Sequence, residues 1–268
     1  MNHLPAPHFS LPLRARPDGA RYWRAAEVSL PEAAAESALV LASVSPRRQE
    51  LLRRAGVRYR VFDPGEDPAL PHLGDWPAAC LRAAHKATRG ARARPGRLSL
   101  GADTVVVYGG HTLGKPRDAG EARRMLEMLS SQTHFVYTAF CLAVTGRGGL
   151  RGVGDVPAAR SANEAVANGR VSRADPRNAP LREDGLRLLW LEVVRTQVRF
   201  RSLLPEEIAA YIASGAPFDK AGGYGIQDAA HGLVEHIRGS YYNVVGLPVR
   251  EVGSALRQVG WQGPPSPL

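Results

Sequence analysis

Four short segments carry residue types whose spacing suits work on a polyanion. Ser43-Val44-Ser45-Pro46-Arg47-Arg48 follows a short apolar run and opens onto a helical pattern. Free backbone N–H groups at a helix start, with two guanidinium forks beside them, make an anion site. The same residues also fit an ordinary capped helix with solvated arginines, Ser45 being the N-cap and Pro46 the first helical residue. Gly101-Ala102-Asp103-Thr104-Val105-Val106 sets a carboxylate inside an apolar stretch, where it is costly to bury unless paired or bound to metal. A turn aspartate capping its own backbone is the plainer alternative. Leu113-Gly114-Lys115-Pro116 offers an ammonium beside a glycine, and Asp219-Lys220-Ala221-Gly222-Gly223-Tyr224-Gly225-Ile226-Gln227 offers three glycines and an amide. Glycines let backbone approach a ligand closely and Gln227 can both donate to and accept from a base edge, although glycine-rich turns are common.

A register argument joins two of these segments. Gly109-Gly110 reads as a two-residue hairpin turn, so Tyr108 pairs with His111, Val105 lies opposite Gly114 and Thr104 opposite Lys115. Lys115 then ends beside Asp103 at the open end of the hairpin, where Pro116 stops the strand. An ammonium meeting a carboxylate there suits phosphate and metal chemistry; a structural salt bridge is the alternative.

The elements that must position these residues alternate strand and helix. Leu39–Ala42 and Val57–Phe62 read as strands on either side of a helix, Arg47–Ala55, which presents Leu51, Leu52 and Ala55 and stops at Gly56. Pro77–Ala93 is a helix carrying Lys86. Leu98–Leu100 and Val105–Tyr108 read as two strands separated by Gly101–Thr104. Glu121–Leu129 is helical, with Ala122, Met125, Leu126 and Leu129 on one face. Long strands Phe135–Thr145 and Leu188–Phe200 follow, then a helix Pro205–Ala213, a strand Leu233–Ile237 and a helix Val249–Val259. The pattern is that of an α/β protein, with room for two lobes and a cleft. Residues 1–37 read as a flexible extension with only a helical hint at Ala33–Ala38. The segment from about 146 to 184 has no period and low apolar content, as in a long loop or insertion.

Bulk properties narrow the function classes. The 268 residues can bury a full core, and no window holds eighteen consecutive apolar residues, so no membrane helix is expected. The Pro- and Arg-rich start lacks the apolar run of a secretory leader. Cys80 and Cys141 are too few for a disulfide framework and read as buried thiols in a reducing, cytoplasmic setting; the eight histidines show no paired metal-ligand spacing. The net charge of +10 is spread along the chain, and 7% aromatic content offers no stacking platform, so a polyanionic small substrate fits at least as well as nucleic acid.

Taken together, SxSPRR, GADTVV, LGKP, DKAGGYGIQ and the later Asn243-Val244-Val245-Gly246-Leu247-Pro248 resemble, in order and spacing, the Maf (septum formation inhibitor-like) nucleotide pyrophosphatase family. The likeness covers about 38–146 and 187–258. It implies an inosine-triphosphatase-like fold, a long mixed β-sheet with flanking helices forming two lobes around a central cleft. It divides the chain into an extension at 1–37, a catalytic domain at 38–258 with an insertion at about 147–186, and a tail at 259–268; the insertion, read as a surface excursion between two strands, is expected to be dispensable for hydrolysis. It implies a homodimeric enzyme that hydrolyses nucleoside triphosphates to monophosphates and pyrophosphate with a divalent cation, Mg²⁺ or Mn²⁺. Carried over by motif, Asp103 is the proton acceptor, and Ser45, Arg47 and Arg48 hold the phosphates. Lys86 and Lys115 neutralise developing charge, and Glu66 joins Asp103 in holding the metal. Phe62-Asp63-Pro64-Gly65-Glu66-Asp67 departs from the family's "DE" pattern, so Asp67 or Asp63 can take the place of Glu66. Arg48, Thr104 and Gln227 occupy specificity positions, and GIQ resembles the subgroup acting on dTTP and UTP. A 7-methyl-GTP or broad-specificity enzyme, and a non-catalytic regulator of septum formation, are the other readings.

Overall fold

Residues 13–15, 20–25, 30, 32–68, 70, 75–146, 185–228 and 232–263 are described by the computed structural model. In chain order the strands are β1 (Arg14–Ala15), β2 (Arg21–Arg24), β3 (Leu39–Ala42), β4 (Tyr59–Phe62), β5 (Ser99–Tyr108), β6 (His111–Leu113), β7 (Thr133–Thr145), β8 (Leu186–Phe200) and β9 (Val234–Arg238). The α-helices are α1 (Glu32–Ala35), α2 (Pro46–Arg54), α3 (Asp75–Ala93), α4 (Ala119–Leu129), α5 (Pro205–Ala213), α6 (Tyr241–Val245) and α7 (Val249–Gln258). One mixed sheet runs β1-β2-β8-β7-β5-β3-β4, with β6 on β5 and β9 on β8. Only the pairings of β3 with β4 and β5 are parallel. This is the mixed sheet with flanking helices that the sequence implied.

The period of two along the long strands decides which helices each face receives. Val105 and Val107 of β5, with Ala139, Cys141 and Ala143 of β7, pack against Ala79, Ala83, Ala87 and Ala91 of α3. A helix lined with alanines lies close to a sheet, because a small side chain keeps the two backbones near. The opposite face carries two separate apolar clusters. One joins Leu41, Leu100 and Phe140 to Leu52 of α2 and Leu256 of α7. The other joins Val106, Val136 and Phe200 to Leu126 of α4 and Tyr211 of α5. The strands β5, β7 and β8 pass through both clusters, so the two lobes share one sheet and a cleft opens between them.

Several sequence expectations change. Strands 98–100 and 105–108 are one continuous strand, because Gly101 to Thr104 pair with Cys141 to Thr138 without interruption. The glycine and aspartate that read as a break are held in line by the neighbouring ladder. Within the extension, Arg21–Arg24 pairs antiparallel with Val193–Trp190. Tyr22 stacks on Trp190 at 5.7 Å, and the Arg21 guanidinium lies 5.3 Å from the Trp76 ring centroid. Four residues that begin and end with arginine show no period, and their partners lie about 170 residues away. Helix α6 had no counterpart in the sequence reading; Ser240 Oγ accepts from the Asn243 N–H at its start, and Gly246, at φ 126°, ends it. Beyond α7 the Trp261 indole donates to Ser37 O at 3.0 Å, fastening the start of the tail to the segment after α1. The insertion at 147–186 lies outside the described residues up to 184. Among the described residues, no helix is long and apolar enough to cross a membrane.

Candidate active site

The edge of β5 opposite β7 is shared by two strands that do not meet. β3 pairs with Ser99–Gly101 and β6 with Val106–Tyr108, which leaves 102–105 facing neither. Strand β3 is parallel to β5 and ends at Ala42, whereas β6 is antiparallel, so the gap is a switch in topology at the carboxyl end of β3. Such points are where open α/β sheets bind ligands. A cleft open to solvent, with about 800 Å³ of empty space, lies there, and Ser45, Arg47, Arg48, Asp67, Lys86, Asp103, Thr104, Lys115, Asp219, Lys220 and Gln227 are among its lining residues.

Asp103 is buried, as a carboxylate in an apolar strand can be only when it is paired. Its Oδ1 accepts from Lys86 Nζ at 2.9 Å and its Oδ2 from Arg82 Nε at 2.7 Å. Both cations come from α3, one turn apart. Gly101 makes this reach possible. A Cβ there would stand 2.3 Å from Ala83 O and 2.4 Å from the Ala87 nitrogen. Lys86 Nζ also contacts Asp67 Oδ2 at 2.9 Å, so two carboxylates converge on one ammonium.

The other side of the cleft is built around Arg48. Its Nε donates to Gly246 O at 2.9 Å, Nη1 to Ser43 Oγ at 3.2 Å and Nη2 to Thr104 Oγ1 at 3.2 Å. Thr138 donates its one hydroxyl proton to Asn243 O at 2.9 Å, so in the 3.0 Å pair of hydroxyls Thr104 must be the donor. The series runs Arg48 to Thr104 to Thr138 to the α6 backbone with every proton assigned. Burial lowers the proton affinity of Arg48, the Asp103 charge opposing it in part.

Arg47 reaches across the cleft to Asp219, bonding both its carboxylate and, at 3.1 Å, its backbone oxygen. Partial burial raises the Asp219 pKa, but hydrogen bonds from Lys220 and Arg47 outweigh it and leave the group below its ordinary value. The glycine-rich segment is anchored from below by Tyr224, whose hydroxyl lies 2.7 Å from His134 Nε2. The rings of His134, Phe200 and Tyr224 meet edge to face at 4.7 to 5.3 Å. Gly222 and Gly223 take φ near +70°, and the Gly222 N–H donates to Gly114 O at 2.9 Å, which joins this segment to Lys115's own.

The structure thus gathers Ser45, Arg47, Arg48, Lys86, Asp103, Thr104, Lys115 and Gln227 around one cleft. Ser45 begins α2 by position, yet its hydroxyl caps no helix N–H. The hairpin register is as expected over Tyr108–His111 to Val106–Leu113, and Lys115, beyond that ladder, makes no ion pair among the described residues. Glu66 is exposed and is not among the lining residues; Asp67 is. Arg82 and Thr138 went unselected, although the four-residue spacing of Arg82 and Lys86 places them on one helix face. No group of three or more His, Cys, Asp or Glu able to hold a metal occurs among the described residues. Asp67 and Asp103 nonetheless fit a hard divalent cation, which takes one or two carboxylates and completes its shell with water and phosphate oxygens.

The chain is similar to known proteins over most of its length. The family model described as "Maf-like protein" matches residues 38–175 and 177–259, running through all but residue 176 of the segment read as an insertion. A protein of Citrifermentans bemidjiense named dTTP/UTP pyrophosphatase is 41% identical over 229 residues, covering 85% of this chain and 98% of its own. Its namesake in Geobacter sp. strain M21 is 42% identical over 231 residues, with the same coverage. One from Anaeromyxobacter sp. strain Fw109-5 is 40% identical over 235 residues, covering 85% and 95%.

Proposed function

The chain belongs to the Maf-like family, and on that premise we propose that it hydrolyses dTTP and UTP to the monophosphate and pyrophosphate. The observation that carries the reading is the pairing of Asp103 with Lys86 in a cleft whose opposite wall holds Arg47 and Arg48. Water attacks the α-phosphorus, one water proton passes to Asp103 Oδ1, and the bond to the bridging oxygen breaks as pyrophosphate leaves. For this to happen Lys86 turns from Asp103 toward the phosphates, where it and Lys115 meet the growing negative charge. Ser45 and Arg47 hold the triphosphate at the start of α2. Fixed cations aimed at a developing charge are the main source of rate in such reactions. When bound between Asp67 and Asp103, Mg²⁺ or Mn²⁺ supplies Lewis-acid polarisation of the phosphate oxygens.

Selection of the pyrimidine rests on Arg48, Thr104 and Gln227. Arg48 and Thr104 are held rigidly by the hydroxyl series, and Gln227 is exposed at the mouth of the cleft. A cytoplasmic setting, supported by two thiols that are free and buried, belongs to the same reading, as does a homodimer.

The test is pyrophosphate release from a nucleotide panel with Mg²⁺ or Mn²⁺, for the wild type and Asp103→Asn. Release from dTTP and UTP, reduced by about 10²- to 10⁴-fold in the variant, is the expected result for loss of a general base. Comparable turnover of 7-methyl-GTP would remove the pyrimidine assignment. No release from any triphosphate by the folded protein would remove the enzymatic one.

A further inference from the structure

Arg82 belongs to none of the motifs discussed and does not line the cleft, yet it holds half of the Asp103 carboxylate. Its Nε donates to Oδ2 at 2.7 Å, while the lining residue Lys86 holds Oδ1 at 2.9 Å. The arginine side chain is 19% exposed and the aspartate 12%, so the pair sits in a poorly hydrated place where a charge-assisted bond is strong. The two grips differ in kind. Lys86 also contacts Asp67 and stands in the cleft, so its bond to Oδ1 can be exchanged when phosphates arrive. Arg82, with no place in the cleft lining, has no phosphate to turn to.

We propose that Arg82 is a positioning residue of the reaction: it pins Oδ2 permanently and so presents Oδ1 to the attacking water. The torsion that turns a carboxylate about its last bond is broad and roughly two-fold, so packing alone does not choose which oxygen faces the substrate. Removing the guanidinium lets the group swing, and Lys86 can then hold both oxygens and be withheld from the phosphates. This rests on Asp103 being the proton acceptor.

The experiment compares wild type, Arg82→Leu and Arg82→Lys in the full chain. It measures kcat and KM for dTTP with Mg²⁺, and separately the affinity for an α,β-imido triphosphate analogue by calorimetry. The expected result for Arg82→Leu is a kcat lower by about 10- to 100-fold, the scale of a small misplacement of a catalytic group. KM and analogue affinity stay within about twofold of wild type. Arg82→Lys keeps a cationic donor on a similar stem and recovers most of the lost kcat. A wild-type kcat in Arg82→Leu, a loss confined to KM or analogue affinity, or no recovery in Arg82→Lys overturns the proposal. Because wild type is measured alongside, absence of any pyrophosphate release is distinguishable: it overturns the pyrophosphatase reading and this inference with it.

Discussion

The Arg48 guanidinium donates to the backbone oxygen of Gly246 at 2.9 Å, across a separation of 198 residues. That bond joins the first turn of α2 to the residue that ends α6, and both helices flank the cleft. Arg48 thus has one donor committed to the scaffold and another to Thr104. The side chain assigned to substrate selection is set before any nucleotide enters, which keeps the entropy of ordering it out of the binding step.

The hydroxyl series depends on Thr138. Thr138→Val keeps the shape but leaves the Thr104 hydroxyl without its acceptor and Asn243 O with only the Gly246 N–H as donor. A stability loss of about 1–3 kcal/mol in urea denaturation is expected. KM for dTTP should rise more than kcat falls. Unchanged stability together with unchanged KM would show that the series is incidental.

Gly101→Ala forces a methyl group against backbone atoms of α3, which cannot step aside as a side-chain tip would. The helix must lift, carrying Lys86 and Arg82 from Asp103. Overpacking of this kind costs about 1–3 kcal/mol or more. In protein that remains folded, loss of kcat larger than the loss of stability accounts for is the expected outcome; wild-type kcat would mean that the helix spacing is not critical.

Burial pushes His134 down to about 4 from 6.5. Between these values the unfolded chain binds the proton and the folded chain does not. The contribution is therefore intact above pH 6.5 and is lost as pH falls toward 4, by up to about 3 kcal/mol. His85 is also lowered, by burial and by Arg89, and adds the same sign. Glu50 and Glu207, held near 2, lose their contributions only below 4.5, so the interval from pH 6.5 to 5 belongs to the histidines. Urea midpoints across that interval should slope upward with pH, and His134→Gln should flatten most of the slope.

The choice between neighbouring acids is open to a direct comparison. Asp67→Asn should raise the Mg²⁺ concentration needed for half-maximal activity at least about tenfold, as loss of a ligating carboxylate does. Glu66→Gln, at an exposed position outside the cleft, should leave that titration unchanged. The reverse pattern would restore Glu66 as the ligand.

Burial pushes the Cys80 thiol up to about 12, and Cys141 further still. Thiolate is the reactive form, so neither cysteine should react with a thiol reagent in the native protein at pH 8, and both should react after unfolding in guanidinium.

Helix α5 was legible in the sequence to the residue, and β3 likewise, because each is bounded by strong local signals: Pro205 and Gly215 for the helix, an apolar run ending at Ser43 for the strand. The motif residues of the cleft were legible where their type stands out from its surroundings: Ser45 and Arg47 at the start of α2, and Asp103 as a carboxylate inside the apolar β5. Arg82 was not, since nothing local separates an arginine that reaches a buried carboxylate from one that reaches water. Strand β2 escaped for a related reason, being fixed by a partner far along the chain, and Asp67 stood only as an alternative to Glu66 because adjacent acids are told apart by the path of the loop after β4 alone.

Asp103 and Thr104 are consecutive residues on opposite faces of β5, one answering to α3 and the other to α2 and α6. The unpaired stretch of strand edge lets a single ligand touch both. Chemistry and recognition are therefore written on alternate letters of one strand, and a slip of one residue would spoil both, placing either the Thr104 hydroxyl where the base belongs or, in the other direction, the Asp103 carboxylate against Arg48. The nine paired residues of β5 and β7 must all move for that to occur. The ladder is thus a ruler as well as a support, and substitutions can retune either message without rewriting the other so long as that ruler holds.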